Sequence, residues 1–307
     1  MTAIMKYFTR LTTVSLALFV FTSCQVEQPE PEPNPGPPTT DIWLYEFGDT
    51  GVNLLSRITN RDGYDNQPMF TSDNSKLLFS SDRTGRVNTH IYDIDTAAIS
   101  QVTFSEADKY SPTPIPGTND EQFSVVHSDS VIFQGLWRYA VDNSQEPAPI
   151  TDVDAVAYFT WAGANNVLFW RLGEPNTLQL LDAATGDTTV LDVGRVESLH
   201  AIPGEAASSY IMSKEGENTE IKRFDWETQE STSIAVALEG ARYFCWTPDG
   251  AILMVVDNEL YTFKPGEQVD WNLAATLDVE GGSRLAVSPD GSMLAVVAHH
   301  TSGLATE

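Results

Sequence analysis

The chain has 307 residues, a formal net charge of −26 and an aromatic content of 10%. So acidic a surface repels phosphate backbones and anionic lipid head groups, which argues against nucleic acid or a bare membrane as a partner. Val, Thr, Phe, Tyr and Trp recur throughout, and 20 Gly and 17 Pro are scattered between them, the composition of an all-β protein with many turns.

Residues 1–23 read as an export signal. Lys6 and Arg10 give a basic start, and the apolar run over residues 11–21 has signal-peptide length but is short for a membrane span. "FTSC" then sets small residues directly before Cys24. This resembles the cleavage box of a bacterial lipoprotein, in which the cysteine receives the lipid and becomes the mature N-terminus. The resemblance implies lipidation at Cys24 and attachment to the membrane through that anchor alone. It also implies an exported location, on the periplasmic or cell-surface side of the outer membrane. An ordinary secretory signal cleaved nearby is the alternative. Residues 24–40 continue as "CQVEQPEPEPNPGPPTT". Alternating Pro and Glu favour extended polyproline II and offer nothing to a core, so this segment is a tether. The other cysteine, Cys245, lies in the apolar stretch "RYFCWTPDG". It is expected to be a buried, unpaired small hydrophobe and not a nucleophile.

From residue 41 onward the sequence repeats. An apolar strand, a tight turn and a second apolar strand recur as "QPMFTSDNSKLLFSS", "SPTPIPGTNDEQFSVV", "YFTWAGANNVLFWRL", "LHAIPGEAASSYIMS", "YFCWTPDGAILMVV" and "RLAVSPDGSMLAVV". The second turn residues are Ser72, Pro116, Ala162, Pro203, Pro248 and Pro289, at intervals of 44, 46, 41, 45 and 41. Two further alternating runs follow the hairpin, for example "THIYDIDTAAISQVTF". Four strands per repeat of about 40 residues is the blade of a β-propeller. The sixth copy has only its inner hairpin before the sequence ends. Its outer pair is predicted to come from "DIWLYEF" and "VNLLSRITN" at the other end. The expected fold is therefore an all-β, six-bladed propeller over residues 41–307. Each blade has four antiparallel strands, and the N-terminal strands close the ring by pairing with the C-terminal hairpin.

The first copy carries a more specific signature. Pro68, Phe70, Asp73, Phe79, Ser81, Arg83, Gly85, Ile91, Tyr92 and Asp95 stand as in the repeat of TolB-type propellers, with Thr71, Ser72 and Asn74 departing from the family's Ser-Pro-Asp-Gly. The chain thus resembles a TolB-like propeller lipoprotein, which implies the six-bladed fold. The family's periplasmic protein carries a further N-terminal domain that meets its partners. Here a Pro-rich tether occupies that place, so those partners do not transfer.

Ligand sites favour loops on a rigid scaffold, here those around the channel mouth where the inner strands begin. The residues expected there are Tyr110, Glu197, Arg242, Tyr243 and Arg284. Two arginines on an acidic chain could hold an anionic group, although pairing with Glu239, Glu280 or Asp278 is the simpler expectation. His90, His127 and His299 fall on the same side and are the nearest thing to a metal set. No paired spacing links them, so no metal and no other cofactor is expected. His200, deeper in an inner strand, reads as a satisfied core histidine. No nucleophile elbow, phosphate loop or zinc-protease motif is present. The leading expectation is a non-enzymatic, monomeric envelope lipoprotein that binds a protein or peptide at the channel mouth. The competing one is a carbohydrate-active enzyme, a lyase or glycosidase, or a glycan-binding surface lipoprotein.

Overall fold

The computed structural model describes residues 38–48, 51–129 and 133–301. Cys24 and the tether up to residue 37 lie outside them.

Every element among the described residues is a strand. The chain opens with β1 (Thr40–Gly48) and β2 (Gly51–Arg57). Blade 1 is β3 (Asp65–Phe70), β4 (Lys76–Ser81), β5 (Asn88–Asp93) and β6 (Ile99–Gln101). Blade 2 is β7 (Asp108–Pro114), β8 (Gln122–Ser128), β9 (Gln134–Ala140) and β10 (Ala148–Pro149). Blade 3 is β11 (Val156–Ala162), β12 (Asn166–Arg171), β13 (Thr177–Asp182) and β14 (Thr188–Val193). Blade 4 is β15 (Arg195–Ala201), β16 (Ala207–Ser213), β17 (Glu220–Asp225) and β18 (Ser231–Val236). Blade 5 is β19 (Phe244–Trp246), β20 (Ile252–Val256), β21 (Glu259–Phe263) and β22 (Asn272–Thr276). Blade 6 ends the chain with β23 (Leu285–Val287) and β24 (Met293–His299), and its sheet order is β2-β1-β24-β23. The expected closure is present: β1 pairs antiparallel with β24, from Thr40 opposite His299 to Glu46 opposite Met293.

The core explains why the ring forms. Side chains alternate across a strand, so a middle strand feeds two interfaces at once. Leu77 and Phe79 of β4 pack toward blade 6 with Ile42 and Leu44, whereas Leu78 packs toward blade 2 with Phe123 and Val125. Likewise Val167 and Phe169 of β12 face blade 2 and Leu168 faces blade 4. Six such clusters lie one at each junction between neighbouring blades. A strand buried on both faces reads as a continuous apolar run and not as an alternation, hence "KLLFSS" and "NVLFWR". The outer strands β14, β18 and β22 are largely exposed, and their sequences mix polar with apolar residues.

Three of the hairpin turns at the far end share one device. Thr71, Thr247 and Ser288 each donate a hydroxyl at 2.6 Å to the aspartate two residues on, Asp73, Asp249 and Asp290. The same oxygen accepts the backbone N–H where the next strand starts, at Lys76, Ala251 and Met293. Ser or Thr followed by Asp thus fixes the turn before any tertiary contact is made.

Candidate functional site at the channel mouth

The innermost strands β3, β7, β11, β15, β19 and β23 all begin at one end of the ring. Four of them are irregular there. The register shifts between Asn66 and Met69, Tyr110 and Thr113, Val156 and Tyr158, and Glu197 and His200. Gln67, Ser111, Ala155 and Ser198 take positive φ values of 52 to 58°. Bulges of this kind re-aim side chains and gather at rims and sites. Here they also join blades. Ser111 N donates to Gln67 Oε1 at 2.8 Å, and Ser198 Oγ accepts Phe244 N at 2.9 Å.

Side chains from three inner-strand starts meet on the axis. The Arg284 guanidinium, from the start of β23, lies 3.9 Å from the ring centroid of Tyr243 and 5.4 Å from that of Tyr158. Its Nη2 donates to Tyr158 Oη at 3.4 Å, and that oxygen is 3.4 Å from Tyr243 Oη. These residues belong to blades 6, 3 and 5, and blades 6 and 3 stand opposite each other. The cluster therefore plugs the channel at its mouth. Tyr64 and Tyr110 stand beside it edge to face, with centroids 6.2 Å apart. His200 completes the ring, its Nε2 3.1 Å from Ser198 Oγ.

Electrostatically the plug holds one charge. Burial raises the phenols of Tyr64 and Tyr110, and it pushes Tyr158 up to about 12 against the pull of Arg284. Burial, then the Arg284 charge, hold His200 down to about 4. Burial alone would lower Arg284, but the facing phenols of Tyr243, Tyr158 and Tyr64 more than offset it and keep it protonated. Arg284 is partly buried among the starts of the inner strands and retains partial solvent exposure. No described carboxylate comes within ion-pair distance of it.

Beside the plug a cleft of about 770 Å³ opens between blades 4 and 5, lined by Arg195, Glu197, Leu238, Glu239 and Arg242 among others. Glu197, 5% exposed, is held there by Arg242 and by Arg195 Nη2 at 3.0 Å. Its hydrogen bond is the main reason the Arg242 guanidinium is held above its ordinary value.

All five residues expected at the mouth lie at this end of the ring, but they separate into two groups. Tyr243 and Arg284 are on the axis, with Tyr110 packed on Tyr64 at its side. Glu197 and Arg242, with Arg195, form an ion cluster on the rim. Pairing of the arginines with Glu239, Glu280 or Asp278 is not what the fold produces. Arg242 takes Glu197 from the adjacent blade, and Arg284 takes tyrosine faces. Tyr64 and Tyr158 escaped the sequence reading, which took His200 as a core histidine; it packs edge-on against Phe244 and bonds Ser198. The available signal was a tyrosine near the start of most inner strands.

The three metal candidates stay apart. His90 packs against Phe79, with ring centroids 5.8 Å apart, and burial holds it down to about 4. His127 stacks on Trp137 at 4.3 Å and shares a 2.9 Å hydrogen bond with Tyr139 Oη. His299 ends β24 beside Gly281. Among the described residues no three His, Cys, Asp or Glu side chains group closely enough to hold an ion. Cys245 is free and 4% exposed, in the core between blades 5 and 6, and burial raises its thiol.

No family model and no curated protein matches this sequence. The fold does match solved structures. A putative TolB from Agrobacterium tumefaciens superposes with a TM-score of 0.68 at 13% identity, covering 87% of this chain and 100% of that one. A gluconolactonase from Xanthomonas campestris gives 0.60 at 13% identity, over 86% and 97%. An oligogalacturonate lyase from Vibrio parahaemolyticus gives 0.53 at 16% identity, over 85% and 97%. The likeness establishes a TolB-type six-bladed propeller. Proteins with this fold include enzymes and TolB alike, so function has to be argued from the site.

Proposed function

We propose that this protein is an exported, non-enzymatic binding protein of the cell envelope, tethered through a lipid on Cys24, which takes a protein or peptide segment at the channel mouth. One observation carries this reading. The mouth is floored by Arg284, Tyr158 and Tyr243 and walled by further tyrosines, an assembly rich in recognition chemistry. Beside it, Ser198 Oγ lies 3.1 Å from His200 Nε2, but the same oxygen is tied into the backbone of the next blade, accepting from Phe244 N at 2.9 Å and lying 3.2 Å from Phe244 O. Cys245 is sealed in the core, and His127 and His90 are packed against aromatic rings. The cleft along Glu239 and Arg242 would receive the rest of an extended segment.

The test is photo-cross-linking in the native envelope. A benzophenone amino acid at Glu239, in the cleft, is expected to capture a discrete partner. The same group at Pro203, in an exposed turn of the opposite face, is expected to capture none. Equal capture from both faces, or none from Glu239, would reject the assignment.

A further inference from the structure

We infer that Arg284 is a carboxylate receptor and that the segment bound at the mouth enters end-on, by its C-terminal carboxylate. The inference rests on the binding reading above and gives it a ligand chemistry.

The argument begins with what Arg284 lacks. The chain carries 43 acidic against 17 basic residues. Among the described residues, Arg57, Arg61, Arg83, Arg86, Arg171, Arg195, Arg223 and Arg242 each have a carboxylate within 4 Å. Arg138 has none but is exposed on β9. Arg284 alone is partly buried and without a carboxylate. Enclosing an uncompensated cation is costly, and folds normally supply a counter-charge. Here the surroundings withhold one. The phenols of Tyr64 and Tyr158 are pushed up and stay protonated. Glu197, the acid on the rim, is already committed to Arg242 and Arg195.

What Arg284 offers is specific. A guanidinium has five N–H donors in a planar fork. One is spent, in the long 3.4 Å bond to Tyr158 Oη. The Arg284 Cζ lies 3.9 Å from the Tyr243 ring centroid, and the bond to Tyr158 is the one side-chain hydrogen bond it makes among the described residues. A free guanidinium edge matches the two oxygens of a carboxylate in a bidentate pair. The tyrosine hydroxyls and the neutral His200 can add hydrogen bonds without adding charge. A single cation balances a monoanion, which disfavours a doubly charged phosphate on so acidic a protein.

Approach selects the terminus. Tyr158 and Arg284 reach each other from opposite blades, so Arg284 is met along the axis from the open face. A peptide end presents its carboxylate along its own axis. An internal Asp or Glu would have to bring two chain directions into the same opening.

The test uses the full chain and titration calorimetry, with the side-chain Nε–Hε NMR signal of Arg284 assigned by its loss in Arg284→Lys. The probes are acetyl-Ala-Ala-Ala as the free acid, the same peptide as its amide, acetyl-Ala-Glu-Ala amide, and inorganic phosphate. The free acid is expected to bind at least about tenfold more tightly than each of the others and to shift the Arg284 signal saturably. Arg284→Lys is expected to weaken it at least about tenfold, because an ammonium cannot make the bidentate pair. Equal binding of acid and amide would overturn the inference, as would no binding by the acid at millimolar concentration. Equal binding of the Glu peptide would overturn the terminal preference, and equal binding of phosphate would overturn the carboxylate. The acid-against-amide comparison in the unaltered chain decides the matter should Arg284→Lys not fold. If acid and amide bind alike while Glu239 still cross-links a partner, the carboxylate inference fails and the binding reading stands.

Discussion

His200 and His90 show how burial turns a titratable side chain into a pH-dependent element of stability. Both are held down to about 4, far below the ordinary 6.5, by burial first. The Arg284 charge adds to the effect at His200. At His90 the buried Nε2 has no hydrogen-bond partner among the described residues, so protonation there has nothing to receive it. The unfolded chain takes up these protons below pH 6.5 and the folded chain does not. Stability from the two histidines is therefore complete above pH 6.5 and is lost as pH falls toward about 4. The slope approaches about 1.4 kcal/mol per pH unit for each. Asp73, held down to about 2 by hydrogen bonds from Thr71 and Ser75, loses its contribution in a separate window below 3.8. Denaturant unfolding of the double variant His90→Gln, His200→Gln should show a flatter dependence between pH 6.5 and 4. Its behaviour below pH 3.8 should be unchanged. An unaltered slope in the upper window would refute this account.

At the scale of elements, the ring depends on β1. It contributes Trp43 and Tyr45 to the core shared with blade 5, and Ile42 and Leu44 to the core shared with blade 1. Its first turn is anchored by charge. Asp41 is fully buried, accepts from Arg57 Nη2 at 2.5 Å and lies 2.7 Å from His300 Nδ1. His300, directly after β24, is part of this closing clasp at the mouth end of the blade. Deleting residues 41–60 would remove Trp43 and Tyr45 from one core and Ile42 and Leu44 from the other, and would leave β24 as a bare apolar edge. The expected result is aggregation or loss of a cooperative melt, read by size-exclusion chromatography and calorimetry. A monomer with unchanged melting would contradict the closure. Asp41→Ala is a milder probe, expected to cost about 3–5 kcal/mol because it leaves Arg57 buried without its partner.

For the whole molecule, the propeller and the segment preceding it answer to different physics. The ring is held by six interfacial cores, whereas residues 24–37 have the composition of a tether and lie outside the described residues. The proposed attachment through Cys24 rests on the signal sequence alone and has its own measurement. Cys24→Ser should abolish incorporation of labelled palmitate and shift the protein from the detergent phase to the aqueous phase in phase partition. Retention in the detergent phase would rule out the lipid anchor.

Fold and site were unequally legible in the sequence. The repeat spacing, the Ser- or Thr-x-Asp turns and the incomplete sixth copy were sufficient for six blades and for the closure between "DIWLYEF" and "MLAVVAH". A blade is a local unit whose hairpins are specified by neighbouring residues, and its twofold side-chain alternation dictates what it must pack against. The same reasoning placed Tyr110, Glu197, Arg242, Tyr243 and Arg284 at the mouth, because inner-strand starts can be counted along the chain. It could not tell which of them would meet. Tyr158 and Arg284 are 126 positions apart, and blades 3 and 6 face each other only once the ring is closed. The bulges at Gln67, Ser111 and Ser198 that aim the rim side chains leave no repeat signature. Sequence by itself determined the blade, its number and its seam. Tertiary structure alone decided that Glu197 pairs with Arg242 and Arg195 and that Arg284 stands on the axis among neutral tyrosines, since which charges meet is fixed by distance across the ring.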